Sequence, residues 1–275
     1  MRVDAHQHFW YYDKQKHTWI DDEMVLLRRN FLPTDLQAIY QRNGIDACVA
    51  VQADQSEAET DFLLEFAEEY DFIKGVVGWI DLRSEKIEEG LAYYAEYPKL
   101  KGFRHVVQDE PDPEFMLGKH FSEGLRLLSK YNFTYDILIF PHQLEAVIKT
   151  VQKFPKQKFV LDHIAKPHIK AGKINTWKKH IHELANTPNV YCKVSGMVTE
   201  ADWQNWKQSD FEPYLDVIFE AFGTARIMYG SDWPVCLLGG EYAKVKNIVE
   251  KYLSKYPKEE YAKVFGENAL NFYGL

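Results

Sequence analysis

The chain has 275 residues, of which 46% are hydrophobic and 27% charged, and its formal net charge is -8. These values are typical of a globular protein with a large core, and we expect a single domain over residues 1–275. The acidic balance argues against nucleic acid or an anionic membrane as a partner, because either would favour a basic stripe. A small-molecule substrate fits the composition better.

Targeting segments and cysteine chemistry add little. No apolar run reaches the length of a membrane helix, and the first residues lack the apolar segment of a signal peptide, so the sequence predicts a cytoplasmic protein. The three cysteines, Cys48, Cys192 and Cys236, are far apart and show no CxxC spacing. We therefore expect reduced thiols and no disulfide framework or thiolate zinc site.

Two histidines, His6 and His8, lie in a short apolar run at the start of the chain. Side chains alternate faces along a strand, so a strand here would place Asp4, His6 and His8 on one face. Two neighbouring neutral imidazoles can share a divalent ion or form hydrogen bonds to a substrate. The pair is therefore a candidate site.

Residues 11–32 follow as a long irregular segment. Its length and its aromatic residues indicate that it covers a functional site as a cap. Beyond it, short apolar runs alternate with helix-sized segments. Eight strands are predicted, at 3–10, 47–53, 74–80, 100–106, 133–140, 158–163, 190–195 and 225–230. Helices are predicted at 34–43, 57–70, 84–97, 113–130, 141–154, 174–185, 201–206, 211–222, 240–256 and 259–272.

This alternation predicts an α/β fold. Short apolar strands are typical of parallel sheets covered on both faces, and connections of this length are crossovers and not hairpins. Eight such units indicate a (β/α)8 TIM barrel. An open doubly wound sheet is the alternative, but no GxGxxG-like turn follows an early strand.

In a TIM barrel the active site lies at the C-terminal ends of the strands. Polar residues occupy these ends in the predicted strands: His6, His8, Gln52, Arg104, His105, His142, Asp162, His163, Lys193, Ser195 and Asp232, with Trp79 after the third strand. Their convergence at one mouth predicts a functional site.

Strand alternation separates some neighbours. Arg104 shares a face with Gly102, which leaves room for the long side chain inside the barrel, whereas His105 points the other way. Asp136 falls within a predicted strand, where a carboxylate without a partner is costly, so we expect it to have a cationic or amide partner. Asp232 precedes Trp233-Pro234 and could be a turn residue, but its parity also allows it to face the barrel axis.

Six motifs in this order resemble the amidohydrolase superfamily, in its amidohydrolase-related branch of sugar lactonases. They are DAHQHFW at 4–10, KGFRHVVQDEPD at 101–112, PHQL at 141–144, LDHIAKP at 161–167, CKVSG at 192–196 and YGSDWP at 229–234. GENA at 266–269 is also similar to the C-terminal helix of that branch. The resemblance covers the whole chain.

The resemblance implies a distorted TIM barrel that adds water to an ester-like or amide-like bond. It implies a metal centre formed by His6, His8, His142, His163 and Asp232. The fourth strand ends in Arg104 and His105 and offers no candidate for the carboxylated lysine of binuclear members. The implied cofactor is therefore one divalent ion, zinc or manganese, which need not be obligatory.

The expected function is that of a carboxylic ester hydrolase opening a sugar lactone such as L-fuconolactone or L-rhamnonolactone. Asp232 is assigned as general base, with His163 and Arg104 as further catalytic residues. The residues assigned to substrate binding are Gln52, Trp79, Arg104, His105, His142 and Lys193. A homodimer is compatible with the sequence.

Two alternatives stay open. The same scaffold could carry out a metal-dependent decarboxylation of a small aromatic acid, which would release carbon dioxide and depend on a divalent ion. The barrel could also bind a sugar without catalysis.

Overall fold

The computed structural model describes all 275 residues and is built around one sheet of eight parallel strands. The strands follow one another around the sheet in chain order: β1 (Val3–Gln7), β2 (Ala47–Val51), β3 (Ile73–Gly78), β4 (Leu100–Val106), β5 (Thr134–Leu138), β6 (Phe159–Leu161), β7 (Val190–Val194) and β8 (Ile227–Tyr229). They form a nearly closed, distorted (β/α)8 barrel, which confirms the predicted fold class.

The helices surround this barrel. They are α1 (Pro33–Asn43), α2 (Glu57–Glu69), α3 (Ile87–Tyr94), α4 (Lys119–Leu128), α5 (Leu144–Lys153), α6 (Asn175–Ala185), α7 (Gln208–Phe222), α8 (Tyr242–Leu253), α9 (Lys258–Ala262) and α10 (Asn268–Tyr273). Short 3-10 helices lie at Asp22–Leu27, Val107–Asp109, Phe115–Leu117, Ser129–Tyr131, Pro141–Gln143, Asp162–Ala165, Ile169–Ala171, Val198–Glu200, Thr224–Arg226 and Val235–Leu238. A π-helical turn, Lys263–Glu267, joins α9 to α10.

One predicted helix, at 201–206, does not form. Its start is a turn in which the Asp202 carboxylate accepts hydrogen bonds from the backbone amides of Gln204 and Asn205. A short acidic side chain that binds nearby backbone amides offers the chain an alternative to helix, and it does so here. The last predicted helix, 259–272, forms as α9 and α10 joined without a gap by the π-helical turn.

Strand β1 contains a bulge between Asp4 and Gln7, where the pairing with β2 shifts register. The bulge reverses the expected parity. His6 and His8 face the barrel interior, but Asp4 faces the helices, where its carboxylate contacts Tyr40 of α1. The prediction that Asp4 shares a face with the two histidines was therefore wrong, because it assumed a regular strand.

The seam between β1 and β8 has almost no ladder. A single bridge joins Gln7 to Trp233, and the amide of His8 donates to the Trp233 carbonyl at 2.7 Å. One further bond runs from the Asp232 amide to the His6 carbonyl at 2.8 Å. The barrel is thus closed at the level of the site and not along the full length of the two strands.

Helix α10 fills the opposite, N-terminal end of the barrel. Its residues Ala269, Phe272 and Tyr273 pack against the small and branched side chains inside the strands. The Tyr273 hydroxyl reaches the Asp136 carboxylate of β5 at 2.9 Å. A second, larger apolar layer lies between the strands and the outer helices.

The segment 11–32 starts and ends at a pair of backbone hydrogen bonds between Trp10 and Phe31. It contains the 3-10 helix Asp22–Leu27, which contacts the 3-10 helix Val235–Leu238 that follows β8. It therefore lies on the side of the barrel where the strands end. None of the helices combines the length and the apolar character needed to cross a bilayer.

Candidate active site

Three histidines and one aspartate meet at the C-terminal end of the barrel. His6 lies in β1 and His8 directly follows it, His163 lies in the turn after β6, and Asp232 lies in the segment after β8. The Oδ1 atom of Asp232 lies 3.4 Å from His8 Nε2, 3.8 Å from His163 Nε2 and 3.9 Å from His6 Nε2. All four side chains are buried.

The other ring nitrogen of each histidine is held by a partner behind it. His8 Nδ1 lies 2.7 Å from the Val51 carbonyl, which can only accept, so this nitrogen carries a proton and Nε2 faces the cluster. His163 Nδ1 lies 2.9 Å from Ser195 Oγ. His6 Nδ1 lies 3.3 Å from a carboxylate oxygen of Asp162. Partners of this kind fix ring orientation and tautomer.

Two of the site residues have left-handed backbone conformations that are uncommon outside glycine. The φ angle is 53° at His163 and 58° at Asp232. Such conformations cost about 1–2 kcal/mol per residue and cluster at functional sites, where the surrounding structure holds them. At Asp232 the hydrogen bond from its amide to His6 supplies part of that hold.

The electrostatics favour neutral imidazoles and an ionised carboxylate. Burial lowers the pKa of His6 and of His163 well below the usual value. Burial alone would raise the pKa of Asp232, but His163 and His8 outweigh it, so the pKa lies below its usual value. At neutral pH the site therefore presents an ionised carboxylate beside the neutral imidazoles of His6 and His163.

Arg104 lies beside this cluster and is itself buried. Its Nη1 donates to Asp162 Oδ2 at 3.1 Å and lies 3.3 Å from His6 Nε2. Its Nη2 donates to the backbone carbonyl of Gln52 at 2.5 Å and to its side-chain oxygen at 3.2 Å. The guanidinium is thus fixed as a cation at the edge of the site.

Gln52 and Lys193, both assigned to substrate binding from the sequence, have no surface to offer a ligand. Gln52 is fully buried, and its amide bonds to Arg104 at both ends. Lys193 is fully buried deeper in the barrel, where its Nζ donates to Asp136 at 2.5 Å and lies 3.0 Å from Asp162 and 3.1 Å from His6 Nδ1. Asp136 therefore has the cationic partner that we expected. Both residues support the site by binding its charged side chains, Gln52 through Arg104 and Lys193 through Asp162.

His142 does not join the other histidines. It lies in the 3-10 helix that begins immediately after β5, it is exposed, and its ring stacks on Phe140 with 6.3 Å between ring centroids. The structure therefore does not place it among the metal-ligand candidates.

His105 faces away from the axis, as strand alternation predicts. Its Nε2 lies 2.6 Å from Glu110, its ring stacks on Phe115, and its Nδ1 accepts from the indole of Trp79. Trp79 itself is half-buried. Of the residues assigned to substrate binding, Trp79 and His142 therefore keep the most accessible surface.

Three supporting residues had no assigned role in the sequence interpretation. Asp162 joins His6 to Arg104, Ser195 holds His163, and Asp4 binds the backbone beside the site. No simple sequence pattern shows that these three residues are buried partners of the site. Asp162 and Ser195 do, however, lie at strand ends beside residues that were assigned a role. Burial alone would raise the pKa of Asp162, yet Lys193, His6 and Arg104 hold it well below the usual range.

The donor set fits a divalent ion. Tetrahedral zinc bound at 2.0–2.1 Å has ligand atoms about 3.3 Å apart. Here the Nε2 atoms of His6 and His8 lie 3.2 Å apart, and the distances to Asp232 Oδ1 are 3.4 to 3.9 Å. Nitrogen and carboxylate donors are those that zinc prefers, so His6, His8 and Asp232 form a candidate set of three, and His163 lies beside it, 3.8 Å from Asp232.

The arrangement suits addition of water to an acyl group. It provides an ionised carboxylate that can accept a proton, neutral imidazoles, and a fixed guanidinium that can stabilise a developing negative charge. The Asp232 carboxylate and the Nε2 atoms of His6 and His8 lie together at the barrel mouth.

Comparison with known proteins gives full-length matches. The family model described as Amidohydrolase matches residues 3–275. The chain is 38% identical to an L-fucono-1,5-lactonase of Burkholderia multivorans, over 100% of this chain and 96% of that protein. It is 33% identical to an L-fucono-1,5-lactonase of Burkholderia ambifaria, again over 100% and 96%. A crystal structure of an amidohydrolase from Burkholderia multivorans with bound zinc superposes with a TM-score of 0.97 at 38% identity, covering 100% of this chain and 99% of that one.

Proposed function

The chain belongs to the amidohydrolase family, and we propose that it opens the ring of a sugar lactone to give the free sugar acid. It is a hydrolase of carboxylic ester bonds. The observation that carries the proposal is the cluster of Asp232 with the Nε2 atoms of three buried histidines, in a chain similar over its full length to two L-fucono-1,5-lactonases.

Asp232 is the proposed general base. Its lowered pKa keeps it ionised at neutral pH, and it lies at the end of β8, where the barrel opens. In this mechanism it takes a proton from the attacking water and returns that proton to the ring oxygen as the ester bond breaks. A single carboxylate can do both, because the oxygen of the attacking water and the ring oxygen of the lactone are bound to the same carbonyl carbon once the water has added.

Charge that develops on the carbonyl oxygen needs a donor or a cation nearby. Arg104 is the candidate among the protein groups, since its guanidinium is held by Asp162 and Gln52 and cannot reorganise freely. A preorganised donor of this kind contributes about 3–4 kcal/mol to transition-state stabilisation.

His6, His8 and Asp232 are the residues that would hold a divalent ion, with His163 as a proposed fourth ligand, and zinc is the proposed metal because their donor atoms suit it. Such an ion supplies Lewis-acid polarisation of the carbonyl and a lower pKa for the attacking water. The proposal does not require the ion, because a lactone is an activated ester and Asp232 and Arg104 supply the base and the cation themselves.

The proposed substrates are aldonolactones, with L-fucono-1,5-lactone first and L-rhamnonolactone second. Support comes from the two similar L-fucono-1,5-lactonases. Trp79 and His142 are the proposed contacts to the sugar, because their aromatic surface can stack on a ring face and both retain exposed area.

The test is acid release, followed with a pH indicator, on a panel of aldonolactones. The protein is assayed as purified, after exhaustive chelation, and after readdition of zinc or manganese. Rapid release supports the proposal, and its sensitivity to chelation decides whether the ion is needed. Absence of release from every lactone, under all three conditions, would overturn the proposal.

The same preparation separates the two alternatives. Release of carbon dioxide from small aromatic acids would identify a decarboxylase. Saturable binding of a lactone without acid release would identify a binding protein. The Asp232→Asn variant provides the internal control, because it removes the base while conserving size, and we expect it to lower kcat by about 10²–10⁴.

A further inference from the structure

Asp4 is a buried carboxylate that no cation pairs with. It is fully buried, and each of its oxygens accepts two hydrogen bonds. Oδ1 accepts from the backbone amides of His6 at 3.2 Å and Ser231 at 2.8 Å. Oδ2 accepts from the hydroxyls of Tyr40 and Tyr242, both at 3.0 Å. Four neutral donors therefore replace the water that burial removes.

The two backbone donors lie on opposite sides of the seam between β1 and β8. His6 belongs to the bulged end of β1, and Ser231 immediately precedes Asp232. The Asp4 carboxylate accepts from both amides and so joins the two backbones through one side chain.

The joined backbones carry the site. The imidazole of His6 lies on one side of the seam and the carboxylate of Asp232 on the other. The distance between His6 Nε2 and Asp232 Oδ1 is 3.9 Å. The two backbones are closely packed at the seam, since a Cβ added to Gly230 would lie 2.6 Å from the Cβ of His6. A change in how Asp4 holds the seam must therefore alter the distance between the two side chains.

The two hydroxyl donors come from the helix layer. Tyr40 belongs to α1 and Tyr242 to α8, and their rings meet edge to face with 5.7 Å between centroids. Both are buried. They fix the orientation of the carboxylate, because loss of either hydroxyl leaves Oδ2 with an unfilled acceptor in a site closed to water.

We propose that Asp4 is a positioning residue for the hydrolysis, setting the distance between His6 and Asp232 through the backbone amides of His6 and Ser231, with Tyr40 and Tyr242 holding its carboxylate. This inference rests on the proposed function. Asp4 touches no substrate, because it faces the helix layer on the far side of β1.

The first test compares kcat and KM among variants. Asp4→Ala lowers kcat by about 10- to 100-fold, the usual loss when a partner behind a site residue is removed, and leaves KM within twofold. Asp4→Asn restores most of kcat, because its amide oxygen still accepts from both backbone amides. The double variant Tyr40→Phe/Tyr242→Phe keeps the ring volumes, and we expect it to lower kcat at least tenfold. It tests the same inference if Asp4→Ala does not fold.

Tyr94→Phe is the matched control. Tyr94 is a buried tyrosine of α3 whose hydroxyl also donates to a carboxylate, that of Asp61 at 3.1 Å, but it lies away from the seam. A merely structural role for Asp4 would lower Tm in the control and in the double variant alike and leave kcat equal in both. Equal kcat values, measured well below both Tm values, would overturn the inference.

The second test does not depend on turnover. Hydrogen exchange at the Ser231 and His6 amides should accelerate at least tenfold in the double tyrosine variant and stay unchanged in Tyr94→Phe. If the unmodified protein hydrolyses no lactone, the proposed function fails by itself, while exchange at these amides still reports whether Asp4 holds the seam. Unchanged exchange in the double variant would overturn the inference.

Discussion

The ring of His163 packs directly against the backbone of Gly196, so that a Cβ at position 196 would lie 2.5 Å from His163 Nδ1. The same nitrogen is 2.9 Å from Ser195 Oγ, so a displaced ring would also lose that partner. Gly196 has a φ of 59°, in the left-handed region. Glycine is therefore required here both by conformation and by space.

Gly196→Ala should impair catalysis as well as stability. The methyl group must displace His163 from its present position beside Asp232, and we expect kcat to fall at least tenfold. Gly172→Ala is the matched control, because Gly172 has a φ of 62° but nothing within 4 Å of an added Cβ. Both variants should lose about 1–2 kcal/mol of unfolding free energy from the backbone. A normal kcat in Gly196→Ala would show that the position of His163 does not matter for turnover.

Zinc binding should depend on His8 and not on His142. His8 Nε2 faces the cluster, whereas His142 is exposed on the 3-10 helix after β5. After chelation, addition of zinc should raise the Tm of the unmodified protein and of His142→Ala, since a ligand that binds only the folded state stabilises it. His8→Ala should show a much smaller rise. Loss of the zinc effect in His142→Ala would place a ligand where the structure does not.

Lys193→Met should be strongly destabilising. The substitution removes the ammonium that lies between Asp136 and Asp162, both fully buried, and leaves two carboxylates with reduced compensation. Breaking a buried pair in this way costs about 3–5 kcal/mol. Lys149→Met removes an exposed pair with Glu114 and should cost less than about 1 kcal/mol. Denaturant unfolding of both variants measures the difference, and equal values would contradict the assignment.

Glu59 should make stability fall as pH rises. Burial raises the pKa of Glu59 from its ordinary 4.5 to about 7 in the folded protein. Between these values the folded protein keeps a proton that the unfolded chain has lost, so its stabilising contribution decreases through this range, by at most about 3 kcal/mol.

Glu59→Gln should remove this dependence, because glutamine does not titrate and its oxygen can still accept from the amide of Ala53. The Tm of the variant relative to the unmodified protein should therefore rise from pH 4.5 to pH 7 and level off above it. A difference in Tm that stays constant with pH would mean that Glu59 titrates normally in the folded state.

Sequence periodicity predicted the barrel and the strand ends because both depend on local pattern. Strand alternation correctly predicted that Arg104 and His105 lie on opposite faces of β4, since this strand is regular at both positions. It failed at Asp4, because the bulge in β1 depends on pairing with β2 and leaves no mark in a single sequence. The structure brings His6, His8, His163 and Asp232 together, all at predicted strand ends.

Burial at the strand ends was the other limit. Lys193 and Gln52 were assigned to the substrate because they are polar residues near strand ends, yet both are fully buried and bind other side chains. A sequence shows which face a residue occupies but not how far it lies from the mouth, which depends on strand stagger. His142 was misplaced for a different reason, because a 3-10 helix starts at Pro141.

Helix α10 bears on the order in which the chain can fold. The Asp136 carboxylate in β5 receives a hydroxyl from Tyr273, 137 positions later, and the apolar lining of β1 packs against Phe272 of the same helix. During synthesis the first seven strands emerge well before these partners exist. Contacts between residues so far apart in sequence slow the folding of a domain. The barrel interior therefore reaches its final packing only after residue 273 has been translated. Until then, folding intermediates expose the open N-terminal end of the barrel to chaperones.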